Sequence, residues 1–147
     1  VEAFCLPAQH FSGRGPGDHN RTLWCSWRLN FPDFSLYFAG DTGYAPLFGE
    51  IGDIFGPVDL ALLPIGAYEP RWFMSPVHIN PAEAVTIHRE IRARQSVAMH
   101  WGTFVLTDEP MDAPPRALAR ALEEQQIDTN TFRVPQHGET LTIELPS

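Results

Sequence analysis

The sequence contains no lysine: its positive charge is ten arginines, set against eighteen acidic residues for a net charge of -8. A field of that sign repels nucleic acid over the whole molecule, so only a local arginine patch could hold a polyanion. It also supplies no polybasic membrane anchor. Cysteine is scarce too. Cys5 and Cys25 cannot form a disulfide framework, and although they fall in candidate neighbouring strands that a bridge could join, two reduced core thiols are expected. These residues include no apolar run long enough to span a bilayer and no charged-then-apolar leader. There is no internal repeat and no low-complexity tract. What remains is ordinary for a soluble domain with a real core: 147 residues, 44% hydrophobic and 19% charged. The chain opens at Val1 on what already reads as a strand, so a preceding segment is expected.

In chain order, Val1 to Leu6 reads as a strand, and Pro7 to Asn20 as a long loop rich in glycine, proline and histidine. Thr22 to Leu29 alternates, with Leu23, Cys25, Trp27 and Leu29 on one face. After a turn at Asn30 to Asp33, Phe34 to Ala39 is a further strand. Pro46 to Phe55 is expected to be a short helix, and Val58 to Pro64 a continuous apolar strand of a sheet covered on both faces. Ile65 to Ile79 reads as a loop carrying Tyr68, Trp72, Phe73 and Met74. Asn80, Pro81 and Glu83 together mark a helix start, with Ala84, Ile87, His88 and Ile91 inward. Ser96 to His100 is read as a strand, Trp101 to Ala113 as a loop and Pro114 to Gln126 as a third helix. Phe132 to Pro135 and Thr140 to Leu145 are expected as closing strands.

The organising stretch is Leu36 to Tyr44, where a strand breaks at Gly40 and a lone carboxylate follows, fenced by Gly43. Flanking glycines let the backbone turn sharply and leave the Asp41 side chain at the strand's carboxyl end, where open α/β sheets gather their chemistry. Taken alone, Asp41 reads equally as a turn residue bonded to its own backbone. Two other strands also lead to a potential ligand, the first to His10 and the one ending at Met99 to His100. Imidazole and carboxylate suit zinc, iron or manganese in hydrolytic sites. His78, just ahead of the capped helix, reads either as a loop histidine bonded to backbone or as a donor aimed at an anionic substrate. His88 reads as packing or a buried polar contact, while His19 and His137 are assigned to loops.

Two motifs mislead. Gly13 to Gly17 resembles a phosphate-binding loop but lacks the lysine and hydroxyl residue, and no helix follows it. Asp41-Thr42-Gly43 is the aspartic-protease triplet, which works as a pair sharing one proton and so would demand a dimer. The bulky Tyr44 and the alternation of strands and helices speak against it.

Pro7-Ala8-Gln9-His10 with Arg14, Thr22-Leu23-Trp24 and Gly40-Asp41-Thr42-Gly43-Tyr44 carry a family resemblance. So do Leu63 to Tyr68, His78-Ile79-Asn80-Pro81-Ala82-Glu83-Ala84 and His100-Trp101-Gly102-Thr103-Phe104. In this order the six motifs resemble the N-acyl-phosphatidylethanolamine-hydrolysing phospholipase D group of the metallo-β-lactamase superfamily. The resemblance implies an α/β fold of the four-layer αββα sandwich type and a zinc-dependent phosphodiesterase, in which hydroxide activated by two zinc ions attacks phosphorus. It implies His10, Asp41 and His100 as metal ligands, with Asp41 bridging and catalytic. It places His78 beside the substrate phosphate in a catalytic and binding role, and Arg14, Tyr68, Trp72 and Phe73 at the substrate entrance.

The superfamily's His-x-His-x-Asp-His stretch does not occur in these residues, and the resemblance implies that it lies ahead of Val1. Residues 1–147 are therefore expected to form one unit, the C-terminal half of such a hydrolase: a mixed sheet with about three helices on one face. Its expected complement is one zinc or none, against two in a complete site. A phospholipid or other phosphoester is the expected substrate, the placement cytoplasmic with peripheral membrane contact. Association with a second copy or with the missing half is expected, because three helices can cover only one sheet face. The alternatives are a non-catalytic half-domain serving as an assembly surface and, behind it, a single-motif dimeric aspartic protease.

Overall fold

Six strands lie in one sheet in the order in which the chain makes them. A computed structural model describes residues 1–143. β1 (Glu2–Leu6), β2 (Ser26–Phe31) and β3 (Phe34–Phe38) form an antiparallel meander. β4 (Val58–Pro64), β5 (Ala93–Met99) and β6 (Phe132–Arg133) then add in parallel. Parallel neighbours need crossovers, and helices supply them. α1 (Leu47–Phe55) joins β3 to β4, α2 (Arg71–Met74) and α3 (Pro81–Glu90) join β4 to β5, and α4 (Ala113–Glu124) with the 3-10 turn Thr129–Thr131 joins β5 to β6.

The core lies between the sheet and α1, α3 and α4. Tyr37, Val58, Ala61, Leu63 and Ala98 from the strands meet Phe48, Ile51, Ala84, Ile87, Leu118 and Leu122 from the helices. α3 begins with a full capping box: Asn80 accepts from the Glu83 N–H at 2.8 Å, and Glu83 accepts from the Asn80 N–H at 2.8 Å. The Glu83 carboxylate also receives the Arg71 guanidinium at 3.0 and 2.9 Å, which ties α2 to the head of α3. His88 is buried, its Nδ1 2.8 Å from Ser96 Oγ on β5 and its ring against Phe132. Burial pushes its pKa down to about 4, so it is a neutral packing residue.

Among the described residues, no helix lies over the other face of the sheet. Register sets Trp27, Phe38, Leu62 and Val97 in one row across β2 to β5, and Leu29, Leu36, Leu60 and Gln95 in the next. Trp27, Phe31 and Phe38 are 41%, 40% and 39% exposed. The reading of Val58 to Pro64 as covered on both faces is thus corrected within this chain: Ala61 and Leu63 pack under helices, while Leu60 and Leu62 stand in the rows of the open face.

Several boundaries differ for physical reasons. The second strand starts at Ser26, not Thr22; Leu23 is exposed, and Trp24 turns its indole N–H to the Ala8 carbonyl at 2.9 Å. The helix-covered side of β2 is its polar side. Buried Ser26 donates to the Pro7 carbonyl at 3.1 Å and buried Arg28 to Asn30 Oδ1 at 2.7 Å. Satisfied polar groups can be buried at little cost. The Ile65 to Ile79 loop contains the single-turn α2, too short to show a period. β5 starts three residues earlier than read. Thr140 to Ile143 are not strand, and the rest of that expected strand lies outside the described residues. Cys5 and Cys25 are unbridged as expected, but Cys5 is exposed rather than in the core.

Candidate metal centre

Strand direction gathers three of the four candidate residues, and the loop between α2 and α3 brings His78 to them. Two reversals from β1 through β2 bring β3 parallel to β1, and β4 and β5 follow in the same sense. The carboxyl ends of β1, β3, β4 and β5 therefore share one edge of the sheet. His10 follows β1, Asp41 follows β3, Gly66 follows β4, and His100 follows β5 directly. His100 has a φ of +57°, a left-handed backbone that costs a non-glycine residue of order 1 kcal/mol and turns the chain sharply off the strand.

His10, Asp41 and His78 place donor atoms within 4.8 Å of one another. The His78 ring lies between the other two imidazoles, 5.3 Å from His10 and 5.4 Å from His100 by ring centres. His100 Nε2 is 3.4 Å from Asp41 Oδ1. The hydrogen bond to His100 holds the Asp41 carboxyl below its usual range, and the same bond raises His100. Burial drives His78 the other way, down to about 4, so it is neutral at pH 7.

A backbone clasp holds the loops that carry these groups. Thr42, fully buried, accepts at Oγ1 from the Gln9 N–H (2.9 Å) and donates to the Gly43 carbonyl (2.8 Å). Gly43 N–H donates to the Gln9 carbonyl at 2.7 Å, and Ile79 N–H to the Thr42 carbonyl at 2.8 Å. The Gln9 amide reaches the Pro76 carbonyl at 3.0 Å. The neighbours of His10, Asp41 and His78 are thus bonded to one another. Gly43 must be glycine, since a Cβ there would stand 2.5 Å from the Pro76 carbonyl oxygen. Gly66 is bound in the same way, packed against the carbonyl of His100.

This edge has a counterpart among known proteins. Residues 1–101 match the beta-lactamase superfamily domain. The chain belongs to that superfamily. It is 46% identical over 129 residues to the N-acyl-phosphatidylethanolamine-hydrolyzing phospholipase D 1 of Caenorhabditis elegans, covering 87% of this chain and 36% of that protein. It is 45% identical over 120 residues to the mitochondrial N-acyl-phosphatidylethanolamine-hydrolyzing phospholipase D of Saccharomyces cerevisiae, covering 80% and 26%. Among solved structures, Igni18, a metallo hydrolase from Ignicoccus hospitalis, superposes with a TM-score of 0.72 at 26% identity, covering 98% of this chain and 53% of that one. The chain thus spans about a quarter to a third of these phospholipases and about half of the archaeal hydrolase. The mixed sheet and helices are those of the metallo-β-lactamase fold, and the aspartic-protease alternative has no support from fold or family.

The donor set of this beta-lactamase superfamily chain fits a metal. His10 Nδ1 lies 2.9 Å from the Phe11 carbonyl, which can only accept, so Nδ1 carries the proton and Nε2 the lone pair. That His10 Nε2 is buried with no partner among the described residues, as are His78 Nδ1 and His100 Nδ1. Buried polar atoms are rarely left unpaired, and donor atoms of two histidines and a carboxylate gathered within 4.8 Å fit a cation. The sequence assigns His100 as the third ligand and His78 to substrate. In the structure the most compact trio contains His78, while His100 engages Asp41.

The remaining expected site residues are dispersed. Arg14 is exposed in the loop after His10, and its side chain has no hydrogen-bond partner among the described residues. Trp72 and Phe73 are exposed on α2 with rings 5.6 Å apart. Tyr68 is buried and lines a cleft with Asn80, Pro81 and α4. Gln9 and Thr42 stand inside motifs that carry the resemblance, but their part in the clasp, like that of Glu109, is not read from the sequence, because it rests on bonds to backbone atoms of distant segments.

Proposed function

We propose that this chain supplies part of the active site of a zinc-dependent phosphodiester hydrolase of phospholipase D type, acting on lipids of the N-acyl-phosphatidylethanolamine class. The observation that supports it most is the convergence of three imidazoles and one carboxylate, with unpartnered buried nitrogens, at one sheet edge. His10, Asp41 and His100 would hold zinc, two ions being the complement of a complete site and one that of this chain. Bound there, zinc would supply Lewis-acid chemistry, activating water and drawing charge from the phosphoryl oxygens. Asp41, kept anionic by His100, would contribute the negative ligand and set the position of both histidines. His78, neutral, would offer an N–H to a phosphoryl oxygen, as a donor that strengthens with the charge developing on phosphorus. Arg14 and the exposed pair Trp72 and Phe73 would face the incoming substrate, and peripheral contact of the apolar pair with a lipid surface follows from their exposure. No helix among the described residues is long and apolar enough to cross a membrane.

The reading is tested by hydrolysis of bis(p-nitrophenyl) phosphate and of N-acyl-phosphatidylethanolamine in mixed micelles. The expected result is cleavage of both by the protein carrying this chain, lost with a chelator and restored by zinc. Zinc-dependent cleavage of a carboxylic ester or lactone, with no cleavage of either diester, would replace phosphodiester by acyl chemistry.

A further inference from the structure

Away from the histidine cluster, the fold sets two thiols side by side. Cys5 pairs with Trp27 in the register of β1 and β2, and Cys25 lies two residues ahead of Trp27, so the two cysteines are diagonal neighbours on one face. That face is the open one. Leu6 and Ser26, which alternate with them, are buried on the helix side, while Cys5 is exposed and Cys25 half-buried. β1 is the outer strand of the sheet, so the pair stands at its rim. Burial first, and then a hydrogen bond with Cys5, hold the Cys25 thiol above its usual range, so it keeps its proton at pH 7.

The position of the pair matters more than its burial. Residues 7–24 form the long loop that carries His10 near its start and Arg14 beyond it. Two side chains tie the root of that loop: Trp24 donates to the Ala8 carbonyl at 2.9 Å and Ser26 to the Pro7 carbonyl at 3.1 Å. Cys5 and Cys25 flank this root. The Cys25 carbonyl also packs against Gly40, directly ahead of Asp41. A covalent link between the two cysteines would therefore close residues 5–25 into a ring whose neck touches the supports of both His10 and Asp41.

We infer that Cys5 and Cys25 form an oxidisable pair, which a small-molecule disulfide converts reversibly into an intramolecular bridge that fastens the root of the His10 loop. The inference is independent of the hydrolase reading. Only a thiolate attacks a disulfide, and Cys5 is the thiol that water and reagent reach. Its thiolate attacks one sulfur of the small disulfide; that S–S bond breaks and one small thiol leaves, with a mixed disulfide on Cys5. Cys25 then loses its proton to water and attacks the Cys5 sulfur, and the second small thiol leaves. The protein gives up two electrons and two protons, and the small disulfide becomes two thiols. An exposed bridge at a sheet rim belongs to the labile, reversible class.

Oxidised glutathione is the probe, read by intact mass. The wild-type chain should become lighter by two hydrogens, carry no glutathione and resist alkylation at both cysteines, and excess reduced glutathione should restore both thiols. Cys25→Ser should stop at one glutathione on Cys5, and Cys5→Ser should react about tenfold more slowly. The bridge should raise Tm by roughly 5–10 °C and slow hydrogen exchange across residues 8–24, changes that the Cys25→Ser adduct lacks. The inference is overturned by a wild-type chain that stops at a glutathione adduct, that links to a second copy through Cys5, or whose thiols do not react in the folded state. A bridge that leaves Tm and exchange across the loop unchanged overturns it as well.

Discussion

Asp41→Asn should lower zinc-dependent turnover on the order of a thousandfold, a loss of about 4 kcal/mol of transition-state stabilisation, while leaving the fold intact. The asymmetry follows from what Asp41 touches. Its carboxylate meets His100 at 3.4 Å and is 42% exposed, so no packing depends on it. The loop that carries it is secured by the backbone and hydroxyl bonds of Thr42 and Gly43, none of which uses the Asp41 side chain. Asparagine keeps the shape and removes the anionic charge that three imidazoles and a cation would share. Turnover and metal content are to be compared in the same preparation, with thermal unfolding as the control. A variant with wild-type rate and wild-type zinc would reduce Asp41 to a turn residue.

The second large effect concerns the open face of the sheet. Trp27, Phe31 and Phe38, with Leu29, Leu36, Leu60 and Leu62 beside them, face away from every helix. Monomers usually keep contiguous apolar patches of more than a few hundred Å² out of water. We propose that this patch is covered, either by a second copy of this chain through a two-fold contact that uses the patch twice or by the other half of a sandwich. The chain by itself should associate at micromolar concentration, and Phe38→Asp, which sets a charge in the middle of the patch, should shift it toward monomer. Light scattering that shows a well-folded wild-type monomer at that concentration would rule the cover out.

How much of this was legible in the sequence depended on how local each signal is. The start of α3 could be read in full because the capping box is closed within four residues, Asn80 to Glu83. Asp41 could be placed at a strand end because an aromatic run stops at a glycine. β2 was misplaced at its start because hydrophobic alternation cannot tell a strand from an exposed Leu23, nor show that Ser26 and Arg28, satisfied by backbone and Asn30, take the covered side. The convergence of His10, Asp41, His78 and His100 spans ninety residues and has no spacing of its own; three strand ends suggested His10, Asp41 and His100, and the motif pattern of a family set His78 beside them. Glu109 was invisible, since its partners are backbone N–H groups about forty residues away, offered by a turn in which Ala67 has a φ of +62°.

The central claim, that these residues form a metal centre, is tested most directly by titrating zinc into the metal-free chain and reading stoichiometry and affinity. Two histidines and a carboxylate can hold one ion with open positions, while the further ligands of a dinuclear site are not among these residues. The account predicts one exchangeable zinc per chain, bound far more weakly by Asp41→Asn and His10→Ala. No binding, or binding that these substitutions leave untouched, would contradict it.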